Sequence, residues 1–105
     1  MNIVGTWDVA MKTPIGTISA LYTFTRDANG IQGEAQSKAE TVPLEEVTVE
    51  QTDDSGERAR WRQRVTKPMR LNLDFDVIII GDTMTGASRA GRLPQTQVTG
   101  NRVVS

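Results

Sequence analysis

The sequence contains no cysteine and no histidine in its 105 residues. Without cysteine there is no disulfide framework and no thiol nucleophile, and without either residue type the usual ligands for zinc, copper and haem are missing. Charge of one sign is not in excess either, because 12 basic residues stand against 13 acidic ones and the formal net charge is -1. The composition predicts no metal, no cofactor and, for the molecule as a whole, no attraction to nucleic acid or to an anionic membrane.

Long apolar runs are absent as well. The longest, Val77 to Ile80, is far too short to span a bilayer, and Met1-Asn2-Ile3-Val4 has neither the basic lead nor the apolar stretch of a signal peptide. A chain of this length is expected to form one domain, residues 1–105, around a single core. These features together predict a cytoplasmic protein without a membrane segment.

The sequence does contain an alternation of apolar and polar residues with a period of two, which is typical of β-strands. No window of helical length shows an apolar stripe at helical spacing, so we predict an all-β chain. Turn-forming residues divide the chain at Lys12-Thr13-Pro14, Asp27 to Gly30, Ser37-Lys38, Asp53 to Gly56, Thr66-Lys67-Pro68, Gly81-Asp82 and Gly91 to Pro94. Eight strands with connections this short predict an antiparallel up-and-down meander that closes into a β-barrel.

The alternation is clearest over residues 57–65, where Trp61 lies on the face opposite to a row of arginines. The row consists of Arg58, Arg60, Arg62 and Arg64. We predict that Trp61 points inward and that the arginines form an outer ion-pair ladder with carboxylates of the neighbouring strands. Those carboxylates are Glu46, Glu50, Asp74 and Asp76. A hairpin turning about Lys67 would place Arg60 opposite Asp74.

The arginine row has an alternative interpretation as a phosphate track for nucleic acid. Acidic residues flank the row, however, and no exposed aromatic residues lie between the arginines for base stacking. The sequence therefore favours a solvated ladder and predicts no nucleic-acid partner.

Three further patterns set the predicted pairing of strands. A Gly81-Asp82 turn places Phe75 opposite Ser88. An Asn29-Gly30 turn of type I′ places Tyr22 opposite Ser37. The inward parity changes between Leu44 and Val47, which predicts a β-bulge at Glu45-Glu46.

Both ends of the chain carry a recurring barrel motif. Gly5-Thr6-Trp7 opens the first predicted strand and Gly100-Asn101-Arg102 closes the last, and glycine-centred units also occur at Asn29 to Gly33 and Gly81 to Gly86. In these motifs the chain resembles the calycin barrels, which include the avidin/streptavidin-like and lipocalin-like proteins. The resemblance implies that Arg102 lies over the indole of Trp7 as a structural plug and that the opposite end receives a small, mostly apolar ligand. The tryptophan-lined set that contacts biotin in avidins has no match here, so biotin is not predicted.

The predicted inward face is apolar with a few polar exceptions, as in many ligand pockets. We predict ligand binding by the inward residues Tyr22, Ser37, Trp61, Gln63, Phe75, Ser88 and Thr96. The alternative is a barrel whose interior is filled by its own side chains. Small inward residues such as Gly33, Ala35 and Gly86 favour a cavity.

Two further functions stay open at this point. With no histidine or cysteine, an enzyme would depend on Tyr22, with Gln63 and Ser88 as hydrogen-bonding partners, in a cofactor-free cyclisation or isomerisation of an apolar substrate. A filled barrel could instead serve as an oligomeric assembly module. Outward parity of Ile78 and Ile80 predicts a homo-oligomer through that face.

Overall fold

The computed structural model describes residues 3–13, 16–52, 55–66 and 70–103. Its strands are β1 (Gly5–Thr13), β2 (Gly16–Asp27), β3 (Gly30–Gln36), β4 (Thr41–Gln51), β5 (Glu57–Val65), β6 (Leu71–Ile80), β7 (Thr83–Arg89) and β8 (Thr96–Arg102). Each strand pairs antiparallel with its sequence neighbour, and β1 also pairs with β8, so the sheet closes in chain order. The predicted all-β, eight-stranded up-and-down barrel is confirmed. Several predicted turn residues, among them Pro14, Lys67 and Pro68, lie outside the described residues.

Strand alternation creates the core, because every second side chain of a closed sheet points into the same interior. On β5 the inward residues Ala59, Trp61 and Gln63 are buried, whereas Arg60 and Arg62 are exposed. The largest fully buried side chains are Trp7, Trp61, Tyr22, Phe24, Phe75, Ile3, Ile79 and Met84. Within the described part of the chain, no helix is long and apolar enough to cross a membrane.

Two predicted features of the strand pairing are confirmed. The β6–β7 hairpin places Phe75 opposite Ser88. The register of β4 against β5 shifts between Glu45 and Thr48, and Glu46 there has a φ of 53°, as expected for a β-bulge. The extra residue allows both halves of β4 to present apolar side chains to the core.

The β2–β3 hairpin differs from the prediction by two residues. Tyr22 lies opposite Ala35, not opposite Ser37. The turn starts one residue earlier than predicted because the carboxylate of Asp27 accepts the backbone N–H of Asn29 at 2.7 Å. Since a shift of two residues keeps the parity of a strand, the inward face is unchanged, but Ser37 moves beyond the end of β3.

The β5–β6 hairpin is also displaced by two residues. Arg60 lies opposite Asp76, whereas the predicted partner was Asp74. Thr66 does not pair with β6, because its backbone N–H and its hydroxyl donate hydrogen bonds to the carboxylate of Glu40 at 3.0 and 2.8 Å. The β5–β6 pairing therefore ends at Val65 and Leu71. The parity is again preserved, so the arginines stay outside.

Antiparallel order places alternate connections at opposite ends of the barrel. One end, which we call the closed end, carries the β2–β3, β4–β5 and β6–β7 connections together with Ile3 and Arg102. The other, which we call the open end, carries the β1–β2, β3–β4, β5–β6 and β7–β8 connections. These two ends differ in burial and in charge, and both differences bear on function.

Candidate ligand site

The segment leading into β1 covers the closed end. Trp7 Nε1 donates to the carbonyl oxygen of Ile3 at 2.8 Å, and the guanidinium carbon of Arg102 lies 4.4 Å from the centroid of the Trp7 ring. Arg102 also donates to the carbonyl oxygen of Val4 and to Oδ1 of Asp82, both at 2.8 Å. The predicted cation–indole contact is therefore present, and it fastens β8 to the N-terminal segment.

A buried carboxylate at the closed end was missed by the sequence reasoning. Glu57 is 4% exposed and accepts the backbone N–H of Ile3 at 2.8 Å and the side-chain amide of Gln51 at 3.1 Å. Its position on the inward parity of β5, in step with Trp61, was the available signal. Because its partners are the N-terminal backbone and a neighbouring strand, Glu57 belongs to the closure of this end.

Aromatic rings occupy the middle of the barrel. Trp61 and Phe75 stack with centroids 4.9 Å apart and an interplanar angle of 12°. Tyr22 lies 5.8 Å from Trp61 and 6.0 Å from Phe75. The fold thus brings three of the predicted ligand-binding residues into one cluster, to which Phe24 is added at 5.3 Å from Trp61.

Tyr22 is held as a neutral hydrogen-bond donor. Its hydroxyl donates to Oε1 of Gln63 at 2.8 Å in a buried setting. Burial raises the pKa of Tyr22 well above its ordinary 10.0, and the hydrogen bond to Gln63 opposes this only in part. The phenol therefore suits hydrogen bonding more than proton transfer near neutral pH, and its predicted catalytic role stays a prediction.

The indole nitrogen of Trp61 is a buried hydrogen-bond donor in the aromatic cluster. Among the described residues, Trp61 Nε1 is buried and finds no hydrogen-bond acceptor. A buried N–H without an acceptor carries the desolvation cost of the lost bond to water, so native proteins rarely leave one unexplained. An acceptor atom on a bound molecule would satisfy it.

The remaining predicted site residues are divided by the fold. Ser88 is buried, faces inward on β7 and pairs with both Phe75 and the half-buried Thr96. Ser37 lies apart, because its hydroxyl accepts the backbone N–H groups of Ala39 and Glu40 at 3.3 Å in the β3–β4 turn. Ser88 and Thr96 thus adjoin the aromatic cluster, whereas Ser37 is occupied by its own turn.

On β2 and β6, burial of the inward side chains falls toward the open end, whereas on β3 and β4 it rises toward that end, from half-buried Ile31 and Val49 to buried Ala35 and Val42. Val77 and Ile79 on β6 are at most 2% exposed, whereas Leu71 and Leu73 on the same strand are only half-buried. On β2, Ile18 is 43% exposed although its parity is inward. Ile18, Leu71 and Leu73 thus leave apolar surface accessible to solvent at the open end, which we call the mouth.

The outer wall of β4, β5 and β6 carries the predicted ion-pair ladder. Arg58 pairs with Asp76 at 2.6 Å, Arg62 with Asp74 at 3.1 Å. Arg64 pairs with Glu45 at 3.1 Å, and a groove of about 400 Å³ crosses this wall beside the β4 bulge. Each of the four arginines thus has a carboxylate within ion-pair distance.

The chain matches no protein-family model, no curated protein and no solved structure. The class that the structure defines is a closed eight-stranded antiparallel barrel with one end plugged.

Proposed function

We propose that the barrel binds a small, mostly apolar molecule through its open end, as the avidin-like and lipocalin-like barrels do. The observation that carries the proposal is the apolar surface that Ile18, Leu71 and Leu73 leave accessible at the open end, whereas Trp7 and Arg102 close the other end. A cytoplasmic location belongs to the same proposal.

Polar groups below the mouth would orient the ligand. The Tyr22–Gln63 pair and Ser88 supply hydrogen-bonding groups within apolar walls, and Trp61 Nε1 supplies a buried donor. A few fixed polar groups in an apolar concavity are typical of small-molecule sites. We expect the ligand to carry at least one acceptor oxygen or nitrogen for Trp61.

Native mass spectrometry of the purified protein, followed by titration with dodecanol, tests this function. We expect a bound small molecule or saturable dodecanol binding that Gln63→Leu weakens by about tenfold, since one hydrogen bond in a desolvated site is worth about 1.4 kcal/mol. Gln97→Leu, an exposed position on β8, is the matched control. Equal affinity in both variants, or no binding to the wild-type protein, would count against the proposal.

A second candidate function, self-association, is favoured by the wall built from β6, β7, β8, β1 and β2. Ile80 is 52% exposed and Ile78 is half-buried. A cross-strand row without charge continues from Ile78 through Thr85, Thr99, Ala10 and Ser19. Uncharged β-surfaces that expose isoleucine are suited to contact with a second copy.

Charge self-complementarity supports a two-fold contact on this wall. Asp8 and Lys12 flank Ala10 at equal spacing on β1, and both are exposed. A two-fold axis that runs along the uncharged row would place Asp8 of each copy opposite Lys12 of the other copy, which gives two equivalent ion pairs. We expect Ala10→Arg to dissociate a dimer in sedimentation, whereas exchanging both charges, Asp8→Lys with Lys12→Asp, should preserve it. A monomeric wild-type protein would refute the contact.

A further inference from the structure

The near-zero net charge hides an unequal distribution between the two ends. At the open end, the described residues 12–13, 16–17, 36–41, 64–66, 70–72 and 89–97 contribute six cations and one carboxylate, Glu40. Those cations are Lys12, Lys38, Arg64, Arg70, Arg89 and Arg92. The closed end instead combines Asp27, Glu50, Glu57 and Asp82 with Arg26, Arg58 and Arg102. The meander thus collects positive charge around the mouth.

Of the six cations of the open end, only Arg64 has an ion-pair partner among the described residues. Lys38, Arg70 and Arg92 are exposed and come from three different connections of the barrel. Of the other three, Lys12 lies within β1, Arg64 is paired with Glu45 at 3.1 Å, and Arg89 donates a hydrogen bond to the neutral Gln95 at 3.4 Å. We call Lys38, Arg70 and Arg92 the cationic rim.

Apolar surface lies at the same end as the cationic rim. Half-buried Val65, Leu71 and Leu73 face the interior there, and Leu93, next to Arg92, is 57% exposed. An apolar mouth surrounded by unpaired cations fits a molecule with an apolar body and a negative head, because one part leaves water while the other stays near solvent and charge.

We propose that the ligand is an anionic amphiphile whose apolar body enters the mouth while its carboxylate or phosphate head lies at the cationic rim. This inference rests on the proposed ligand-binding function and specifies its ligand class. The head group would interact with exposed cations, so its contribution should weaken as ionic strength rises.

Paired titrations with dodecanoate and dodecanol, both below the concentration at which they aggregate, test the head group. At low ionic strength we expect dodecanoate to bind about tenfold more tightly, the combined effect of a few exposed charge interactions. High salt should remove most of that advantage. The double variant Arg70→Gln/Arg92→Gln should remove it as well, whereas the matched variant Arg26→Gln/Arg60→Gln, away from the mouth, should retain it.

The outcomes separate this inference from the proposed function. Equal binding of the two probes would overturn the anionic class while ligand binding itself stands. Binding of neither probe would refute the proposed function. A binding assay with phosphatidylglycerol vesicles distinguishes a free amphiphile from a membrane lipid, and phosphatidylcholine vesicles, which carry no net charge, are the control. Binding to phosphatidylglycerol vesicles but not to dodecanoate would refute the proposal that a free molecule enters the mouth. Thermal unfolding of each variant verifies that it is folded.

Discussion

Replacing Arg102 by alanine should weaken the barrel at its closed end. The side chain is only 18% exposed, lies over the Trp7 ring and donates to the carbonyl oxygen of Val4 at 2.8 Å. A desolvated cation–π contact contributes about 1.5 kcal/mol. The charged hydrogen bond contributes about 1.5 kcal/mol more. We therefore expect the free energy of unfolding to fall by about 3 kcal/mol, which lowers Tm by about 15 °C in a domain of this size.

Calorimetry or denaturant unfolding measures this loss, and two variants control it. Arg102→Met keeps apolar packing on the indole but removes the charge, so it should recover only part of the stability. Arg26→Ala removes an exposed arginine near the same end and should change stability by less than about 0.5 kcal/mol. Affinity for dodecanol should stay unchanged in Arg102→Ala, because the mouth lies at the other end. A loss of stability no greater than that of Arg26→Ala would refute the plug.

Three other predictions concern stability. Gly5→Ala should lower the free energy of unfolding by about 1–3 kcal/mol, because φ at this position is +133° and the new Cβ would lie 2.8 Å from Arg102 Nη1. Urea unfolding measures this loss. Gly16→Ala is the control that isolates the clash, because Gly16 has a similar φ but open space around it. Tyr22 is the single tyrosine, and burial raises its pKa in the folded protein above 10.0. The folded state is therefore stabilised below pH 10, and this stabilisation is lost as the pH rises above 10. Tyrosinate absorbance that appears only when the protein unfolds would confirm this, whereas titration of the folded protein near pH 10 would contradict it. The hydrogen bond from Arg58 lowers the pKa of Asp76 below 3.8, so the ionised carboxylate stabilises the folded state. Asp76→Asn should therefore lower the free energy of unfolding at neutral pH and have little effect in acid, where the carboxylate is protonated. An equal loss of stability at all pH values would refute the pairing.

Much of the fold was predictable because side-chain alternation is a local property of the sequence. The inward parity of Tyr22, Trp61 and Phe75 followed from period-two patterning, and a closed barrel followed from eight short strands joined by short turns. The bulge at Glu45-Glu46 was predictable for the same reason, since a change of parity within one strand requires an extra residue.

The sequence did not determine the register of two hairpins. Shifts of two residues keep every side chain on its face, so the apolar pattern cannot detect them. Side-chain bonds decided both: Asp27 started the β2–β3 turn early, and Glu40, distant in sequence, drew Thr66 out of the β5–β6 ladder. The displacement of Ser37 away from Tyr22 is a direct result.

The candidate site is divided in the same way between sequence and tertiary structure. The sequence by itself predicted the inward parity of Tyr22, Trp61 and Phe75, and the resemblance to calycin barrels implied the Trp7–Arg102 contact, but buried Glu57 was missed. Only the closed barrel decided that Trp61 Nε1 is buried without an acceptor among the described residues. Closure of the sheet also arranged Lys38, Arg70 and Arg92 around one ring, because it joins the two ends of the row of connections along that edge. Net charge carries no information about such positions.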